Sequence, residues 1–336
     1  MKHPRKAPAP ILPRFLPPGG TIGIIAPSGV VDRARLRAGC SYLEARGYRL
    51  SVAPHVFERT GYLAGNDASR AADLNAATHD ESLAAIFLAR GGYGLTRILN
   101  RVDIGALRRR KPLLLGYSDA TALFMALQRQ GPYGVLYGPM VSEMGESSSF
   151  DEKSLWAGLR GDWAGSGLAF ANNDVLRPGR GAGRVIGGCL SLLVSLLGTP
   201  YDPDYRGAIL FWEEIGEEPY RIDRMLTQLR NAGKFEGLRG MLIGSVTGCD
   251  PAPGKASLRL REIVADATSR TRFPIIRNVR AGHIARKITL PLGFVATLDT
   301  TAGGLIYRRV PGSTSKRAPR KTVEPESRSV ARSSRR

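Results

Sequence analysis

Cysteine is scarce in this chain of 336 residues. Cys40, Cys189 and Cys249 are odd in number, far apart and without CxxC spacing. That excludes a disulfide framework and a cysteine-built zinc site, and it fits a reducing, cytoplasmic compartment. Histidine is nearly as scarce, at four residues, so chemistry that needs an imidazole has few centres to choose from. Long apolar runs are missing too. The most apolar segment, Cys189 to Leu197, falls far short of the ~20 residues that cross a bilayer, and no membrane span is expected. Pro4, Pro8, Pro10 and Pro13 break the basic N-terminal stretch before an apolar signal core of about 7–15 residues can form. Residues 1–20 are therefore read as a disordered leader.

Phosphate-binding signatures also fail. Gly248 and Gly254 are separated by five residues, and Ala256 follows Lys255, so the segment is not a Walker loop. Gly23 to Gly29 lacks the glycine spacing of a dinucleotide site. No cofactor and no metal are expected.

Positive charge is in excess, with a formal net of +20. The segment 310–336 contributes +6 and the leader +4, which leaves +10 on the body. The tail is read as disordered and solvated. It lacks an aromatic residue to stack on a base, so nucleic acid is expected to make no more than weak, nonspecific contact with it. A basic body favours a substrate that carries several carboxylates.

From Thr21 the chain alternates strands and helices. TIGIIAP, YRLSVAP, LAAIFLAR and PLLLGYS read as strands, and RARLRAGCSYLEARG, SRAADLNAATHD, GLTRILNRV and ATALFMALQRQ read as helices. Strands separated by helical stretches of about 10–15 residues predict an α/β domain over 21–160, with a parallel sheet covered by helices on both faces. The pattern decays after Ser142, and 161–183, ending RPGRGAGR, is read as a linker. Residues 184–309 mix CLSLLVSLLG (helix), GAILFWEE (strand), RIDRMLTQLRNAG and LRLREIVADATS (helices), and FVATLDTT and GGLIYRR (strands). This order predicts a smaller α+β domain before the disordered basic tail, 310–336.

Chemistry concentrates at a few places. Pro112 to Thr121 is an apolar strand that turns at Ser118 and enters a helix. Such an elbow presents a serine hydroxyl at the sheet edge, with helix N-terminal amides beside it; the same pattern also suits a plain helix N-cap. His283 sits in a loop behind Gly282, either as a base or as an ordinary surface histidine. Glu213 directly follows the apolar strand ending Phe211-Trp212. It suits a carboxylate that orients an imidazole, or an acidic loop. The glycines of Arg90-Gly91-Gly92-Tyr93-Gly94 can bring backbone N–H groups close to a reacting carbonyl, or can simply make a tight βα turn.

Taken in order, IGIIAPSG, ARGGYG, LLGYSDATAL, YGPM, GGCLSLLVSLLGTPYDPD, GAILFWEEIGEEPYRIDRMLTQL and GHIARKITLPLG resemble the LD-carboxypeptidase family of serine peptidases, over roughly Thr21 to Arg309. The resemblance implies a class I amidotransferase-like fold with a nucleophile elbow. It also implies a nucleophile at Ser118, a triad glutamate at Glu213, a base at His283, and an oxyanion hole from the N–H groups of Gly92 and Asp119. The implied reaction is release of terminal D-alanine from murein tetrapeptides in cytoplasmic peptidoglycan recycling, by a homodimer. Four positions depart from the family pattern: Phe124 and Tyr137 where histidine is usual, and Cys189 and Lys287 where asparagine is usual. Two further readings accompany this one. The first is a microcin-immunity-like peptidase acting on a peptidyl or aminoacyl nucleotide, with Trp212 or Tyr93 available to stack a base. The second is a catalytically silent binder of murein fragments.

Overall fold

The computed structural model describes residues 11–163 and 167–309. In the first half, five short strands alternate with helices: β1 (Thr21–Ile25), α1 (Arg33–Glu44), β2 (Arg49–Val52), α2 (Asp67–His79), β3 (Leu83–Leu88), α3 (Leu95–Ile98), α4 (Ile104–Arg110), β4 (Leu113–Gly116), α5 (Ala120–Arg129) and β5 (Val135–Tyr137). Helix starts follow local chemistry. Asp32, Asn66 and Asp103 each accept the backbone N–H three residues on, which satisfies an amide that the helix itself leaves free. Asp103 also explains α4, which the sequence pattern did not reveal: its cap starts a seven-residue helix inside an arginine-rich run.

The second half continues with α6 (Glu152–Arg160), β6 (Gly167–Ala169), β7 (Val175–Arg177), β8 (Arg180–Cys189), α7 (Leu190–Ser195), β9 (Ala208–Ile215), α8 (Pro219–Asn231), β10 (Gly240–Thr247), α9 (Leu260–Ala267), β11 (Ile275–Ile276), β12 (Leu290–Leu292), β13 (Val295–Asp299) and β14 (Gly304–Tyr307). Two sheets result. The first has the order β12-β5-β4-β3-β1-β2, parallel except for β12, which runs antiparallel to β5. The second has the order β6-β14-β13-β8-β9-β10-β11-β7, parallel from β8 to β11 and antiparallel outside that core. The mixed α/β architecture matches the expected fold class.

Three boundary expectations need correction. Residues 1–10 lie outside the described residues, but 11–20 are packed. Ile11 N–H donates to Pro132 O at 3.0 Å, Leu16 N–H donates to Leu159 O at 2.9 Å, and Leu16 is buried. The prolines that stop a helix there leave an extended segment whose apolar side chains still reach the core. The supposed linker 161–183 carries the edge strands β6 and β7 and the start of β8. The half-and-half division is also crossed, because β12 comes from the C-terminal half and pairs with Tyr137 of the first sheet. The expected basic tail, 310–336, lies outside the described residues.

The glycines of β8 misled the reading of RPGRGAGR as a linker. A Cβ added at Gly181 would lie 1.7 Å from Arg239 O, and one at Gly187 would lie 1.7 Å from Phe211 O. These glycines mark close backbone approach inside a sheet, a second reason for glycine in a strand besides flexibility. Gly181→Ala is expected to cost about 3 kcal/mol or more, because backbone must move. Gly198→Ala meets nothing within 4 Å and pays only for its φ of +76°, about 1–2 kcal/mol. Urea midpoints of the two variants check the difference.

Candidate active site

The fully buried strand β4 delivers Tyr117, Ser118 and Asp119 to the start of α5. Ser118 has φ +60°, one of four non-glycine residues with positive φ among those described. Such a backbone is strained for a residue with a Cβ and persists only where its surroundings hold it. Tyr117 and Asp119 are buried on either side, while Ser118 stays half-buried. The helix-cap alternative for Ser118 is not realised: the cap residue is Asp119, and no side chain caps α5. Gly91 passes directly over the elbow, where an added Cβ would lie 3.3 Å from Ser118 Oγ.

Glu213 sits near the end of β9 and is 0% exposed. Its Oε2 accepts from His283 Nδ1 at 2.7 Å and from His283 N–H at 3.2 Å. Its Oε1 accepts from the Tyr137 hydroxyl at 2.7 Å. With a carboxylate as acceptor, Nδ1 is the donor, and Nε2 is the ring nitrogen left for any other partner. Gly282, at φ +110°, makes this possible, since a Cβ there would fall 2.4 Å from Glu213 Oε2. The His283 ring meets the edge of Tyr117 at a centroid distance of 4.9 Å, which brings the imidazole beside the elbow. The neighbouring carboxylate points elsewhere, as alternation along a strand requires. Glu214 accepts from Ser191 N–H at 2.7 Å and Ile215 N–H at 2.9 Å, and burial raises its carboxyl above the usual range.

Backbone donors around Ser118 are sorted by their partners. Ser118 N–H is taken by the Tyr137 hydroxyl at 3.1 Å. Among the described residues, Gly92 N–H and Asp119 N–H donate to no protein group. Gly92 has φ +105°, and an added Cβ would lie 3.2 Å from Gly29 Cα, so only glycine fits there. The Asp119 side chain ties the elbow down. Its Oδ2 accepts from Ser28 Oγ at 2.6 Å and from Leu95 N–H at 2.8 Å. Burial pushes this carboxyl above its ordinary 3.8. An open cavity of about 1190 Å³ lies elsewhere, between Arg180, Arg239 and Arg272, and holds none of these groups.

Two stretches match family profiles: residues 22–138 the LD-carboxypeptidase N-terminal domain, and residues 182–298 the LD-carboxypeptidase C-terminal domain. The chain belongs to the LD-carboxypeptidase family. It is a serine-type carboxypeptidase. A Streptomyces coelicolor protein provisionally named a carboxypeptidase is 39% identical over 89% of this chain and 96% of its own. The murein tetrapeptide carboxypeptidase of Pseudomonas aeruginosa is 30% identical over 84% of this chain and 94% of its own. Among solved structures, the wild-type microcin C7 self-immunity protein MccF superposes with a TM-score of 0.79 at 22% identity, covering 88% of this chain and 98% of that one; this likeness concerns the fold.

Placed on this LD-carboxypeptidase fold, the four departures have different surroundings. Phe124 is 0% exposed inside α5 and fills core. Cys189 is buried with its Sγ 3.5 Å from Glu214 Oε1, and burial raises its thiol. Lys287 is buried and donates to Glu143 Oε1 at 2.8 Å, where the Tyr117 hydroxyl also donates at 2.8 Å. Tyr137 bridges Ser118 and Glu213. Sequence reasoning missed Glu143 and Ser28 altogether. Glu143 lies where periodicity fails and offers no signal, whereas Ser28 belongs to IIAPSG, the loop directly after β1, where a polar residue at a strand end was a usable hint. Of the other histidines in the described part, His55 bonds Asp73 at 2.6 Å and His79 lies 3.5 Å from Asp103, both away from the elbow.

Asp119 offers a test of this scaffold. Asp119→Ala strands the buried Ser28 hydroxyl and Leu95 N–H and is expected to cost about 2 kcal/mol or more. The raised carboxyl has the opposite sign from a salt-bridged one. Its protonated form favours the fold, a contribution fully present below 3.8 and lost as pH rises through the raised value. Asp119→Asn, which keeps an acceptor without charge, therefore gains on the wild type as pH rises toward neutrality, and the gain vanishes below about pH 4. Urea midpoints across pH check the sign.

Proposed function

We propose that this enzyme hydrolyses the L,D-peptide bond that releases terminal D-alanine from murein tetrapeptides, with Ser118 as nucleophile, His283 as base and Glu213 as the group that orients the imidazole. The observation that carries the reading is the 2.7 Å bond from His283 Nδ1 to a fully buried Glu213, beside a serine held at φ +60°. Ser118 Oγ attacks the scissile carbonyl carbon, and its proton passes to His283 Nε2. The oxyanion is received by the unpaired N–H groups of Gly92 and Asp119, the latter at the N-terminus of α5. Collapse breaks the C–N bond, and the imidazolium returns its proton to the leaving D-alanine amine. Water, deprotonated by the same imidazole, then releases the peptide from Ser118. The basic body draws in a substrate whose carboxylates outnumber its amines.

The murein tetrapeptide carboxypeptidase of Pseudomonas aeruginosa supports this substrate class. Cytoplasmic peptidoglycan recycling and a homodimer belong to the same proposal. A second reading, hydrolysis of a peptidyl nucleotide, draws on Tyr93, which is 45% exposed and faces the exposed Tyr62 at 6.0 Å. Trp212, at 0% exposure, is core and unavailable to a base.

Purified wild type is expected to release D-alanine from murein tetrapeptide, detected by mass. Ser118→Ala and His283→Ala are each expected to lower kcat by about 10³-fold or more, and Glu213→Gln by about 10²–10⁴-fold, with the fold intact. Turnover of an aminoacyl adenylate in place of the tetrapeptide would transfer the reading to nucleotide conjugates. Turnover of neither, with the tetrapeptide bound, would make the protein a silent binder.

A further inference from the structure

We propose that Tyr137 is a positioning residue for the hydrolytic constellation, its single hydroxyl holding the Glu213 carboxylate and the Ser118 backbone in one register. This rests on the roles proposed above for Ser118, Glu213 and His283. A tyrosine hydroxyl has one proton and two lone pairs. Here the proton goes to Glu213 Oε1 at 2.7 Å, and a lone pair receives Ser118 N–H at 3.1 Å. Both partners belong to the constellation. A tyrosine that merely filled core would need one partner of any kind.

The backbone location explains how one side chain reaches both. Tyr137 ends β5, in register with Gly116 of β4 on one side and Leu290 of β12 on the other. The first neighbour strand leads in two residues to Ser118; the second begins seven residues after His283. Glu213 arrives from the second sheet. The hydroxyl is thus a tie between the two sheets at the point where nucleophile, base and acid converge. The ring cannot readily swing away. It is 1% exposed and sits edge-on to Tyr117 at 6.0 Å and to Phe211 at 5.3 Å.

The tie has chemical consequences. Burial and the adjacent Glu213 charge keep the phenol protonated well beyond its usual range, so it stays a donor wherever the enzyme works. It fixes the rotation of the carboxylate, leaving Oε2 to His283. It also occupies Ser118 N–H, so the oxyanion is left to Gly92 and Asp119. Removal of the hydroxyl strands an acceptor and a donor in a dry site and lets the carboxylate turn. Relieved of one donor, the carboxylate leans more fully on the His283 ring, which alters how the constellation responds to pH.

Tyr137→Phe removes the hydroxyl alone. It is expected to lower kcat by about 10–100-fold with KM within about 3-fold, the size typical of groups that orient a reacting ligand from behind. The acidic limb of the kcat/KM profile is expected to shift. Tyr137→His supplies one donor and one acceptor in neutral form and is expected to restore most of kcat and the wild-type limb. A kcat and pH profile in Tyr137→Phe equal to wild type would overturn the proposal. So would equal losses in both variants accompanied by equal drops in Tm, since that pattern belongs to packing. A readout without substrate separates this from the choice of substrate: the low-field NMR resonance of the His283 Nδ1 proton is expected to shift in Tyr137→Phe and return in Tyr137→His. An unmoved resonance sinks the positioning role. A shifted resonance in an enzyme that releases no D-alanine supports the positioning role and overturns only the murein reading.

Discussion

The two sheets close around the buried Glu213 carboxylate. A carboxylate with no exposed surface is tolerated only where its oxygens are met by donors, and Glu213 has three: the Tyr137 hydroxyl, the His283 ring and the His283 backbone. These donors come from both ends of the chain's path. Tyr137 lies in the first sheet and His283 in the loop before β12, while Glu213 lies in the second sheet. Burying the charge is therefore possible only when the two sheets meet, and the meeting point is also where the serine elbow emerges.

The elbow itself is held from three directions. Tyr117 donates to Glu143, which also binds the Lys287 ammonium. Ser118 gives its N–H to Tyr137. Asp119 receives Ser28 and Leu95. Each tie reaches a different element: the turn after β5, β5 itself, and the loop after β1 together with the start of α3. A serine at φ +60° costs free energy that no local preference supplies, and this ring of buried polar contacts is what offsets it. The departures at Tyr137 and Lys287 fall inside the ring. Both bring a group with the hydrogen-bonding capacity that their surroundings need.

Legibility differed by region for physical reasons. The parallel sheet of the first half was readable because its strands are buried on both faces and appear as unbroken apolar runs, such as LAAIFL and PLLL. The start of β8 was not, because RGAGR owes its glycines to backbone packed against Arg239 and Gly207, and composition cannot separate close approach from looseness. Residues 11–20 escaped for a related reason: prolines exclude a helix without excluding an extended segment laid against the core. Strands β5, β6, β7 and β11, two or three residues each, are too short for any period to show.

Sequence by itself determined the alternation of strand and helix, the serine at a strand-to-helix turn, the glycines that let backbone approach it, and the membership in a family of serine carboxypeptidases. These follow from local burial, turn chemistry and ordered motifs, all of which are written along the chain. Tertiary structure alone decided that Glu214 turns away to Ser191 and Ile215, that Ser118 N–H is occupied by the Tyr137 hydroxyl, that Trp212 is core, and that Tyr137 joins Glu213 to the elbow. Each of these depends on which face of a strand points where, and on residues 19, 70 or 76 positions apart meeting through one hydrogen bond. No pattern along one segment encodes such meetings, because they are fixed only when two sheets pack and a buried charge must find its donors.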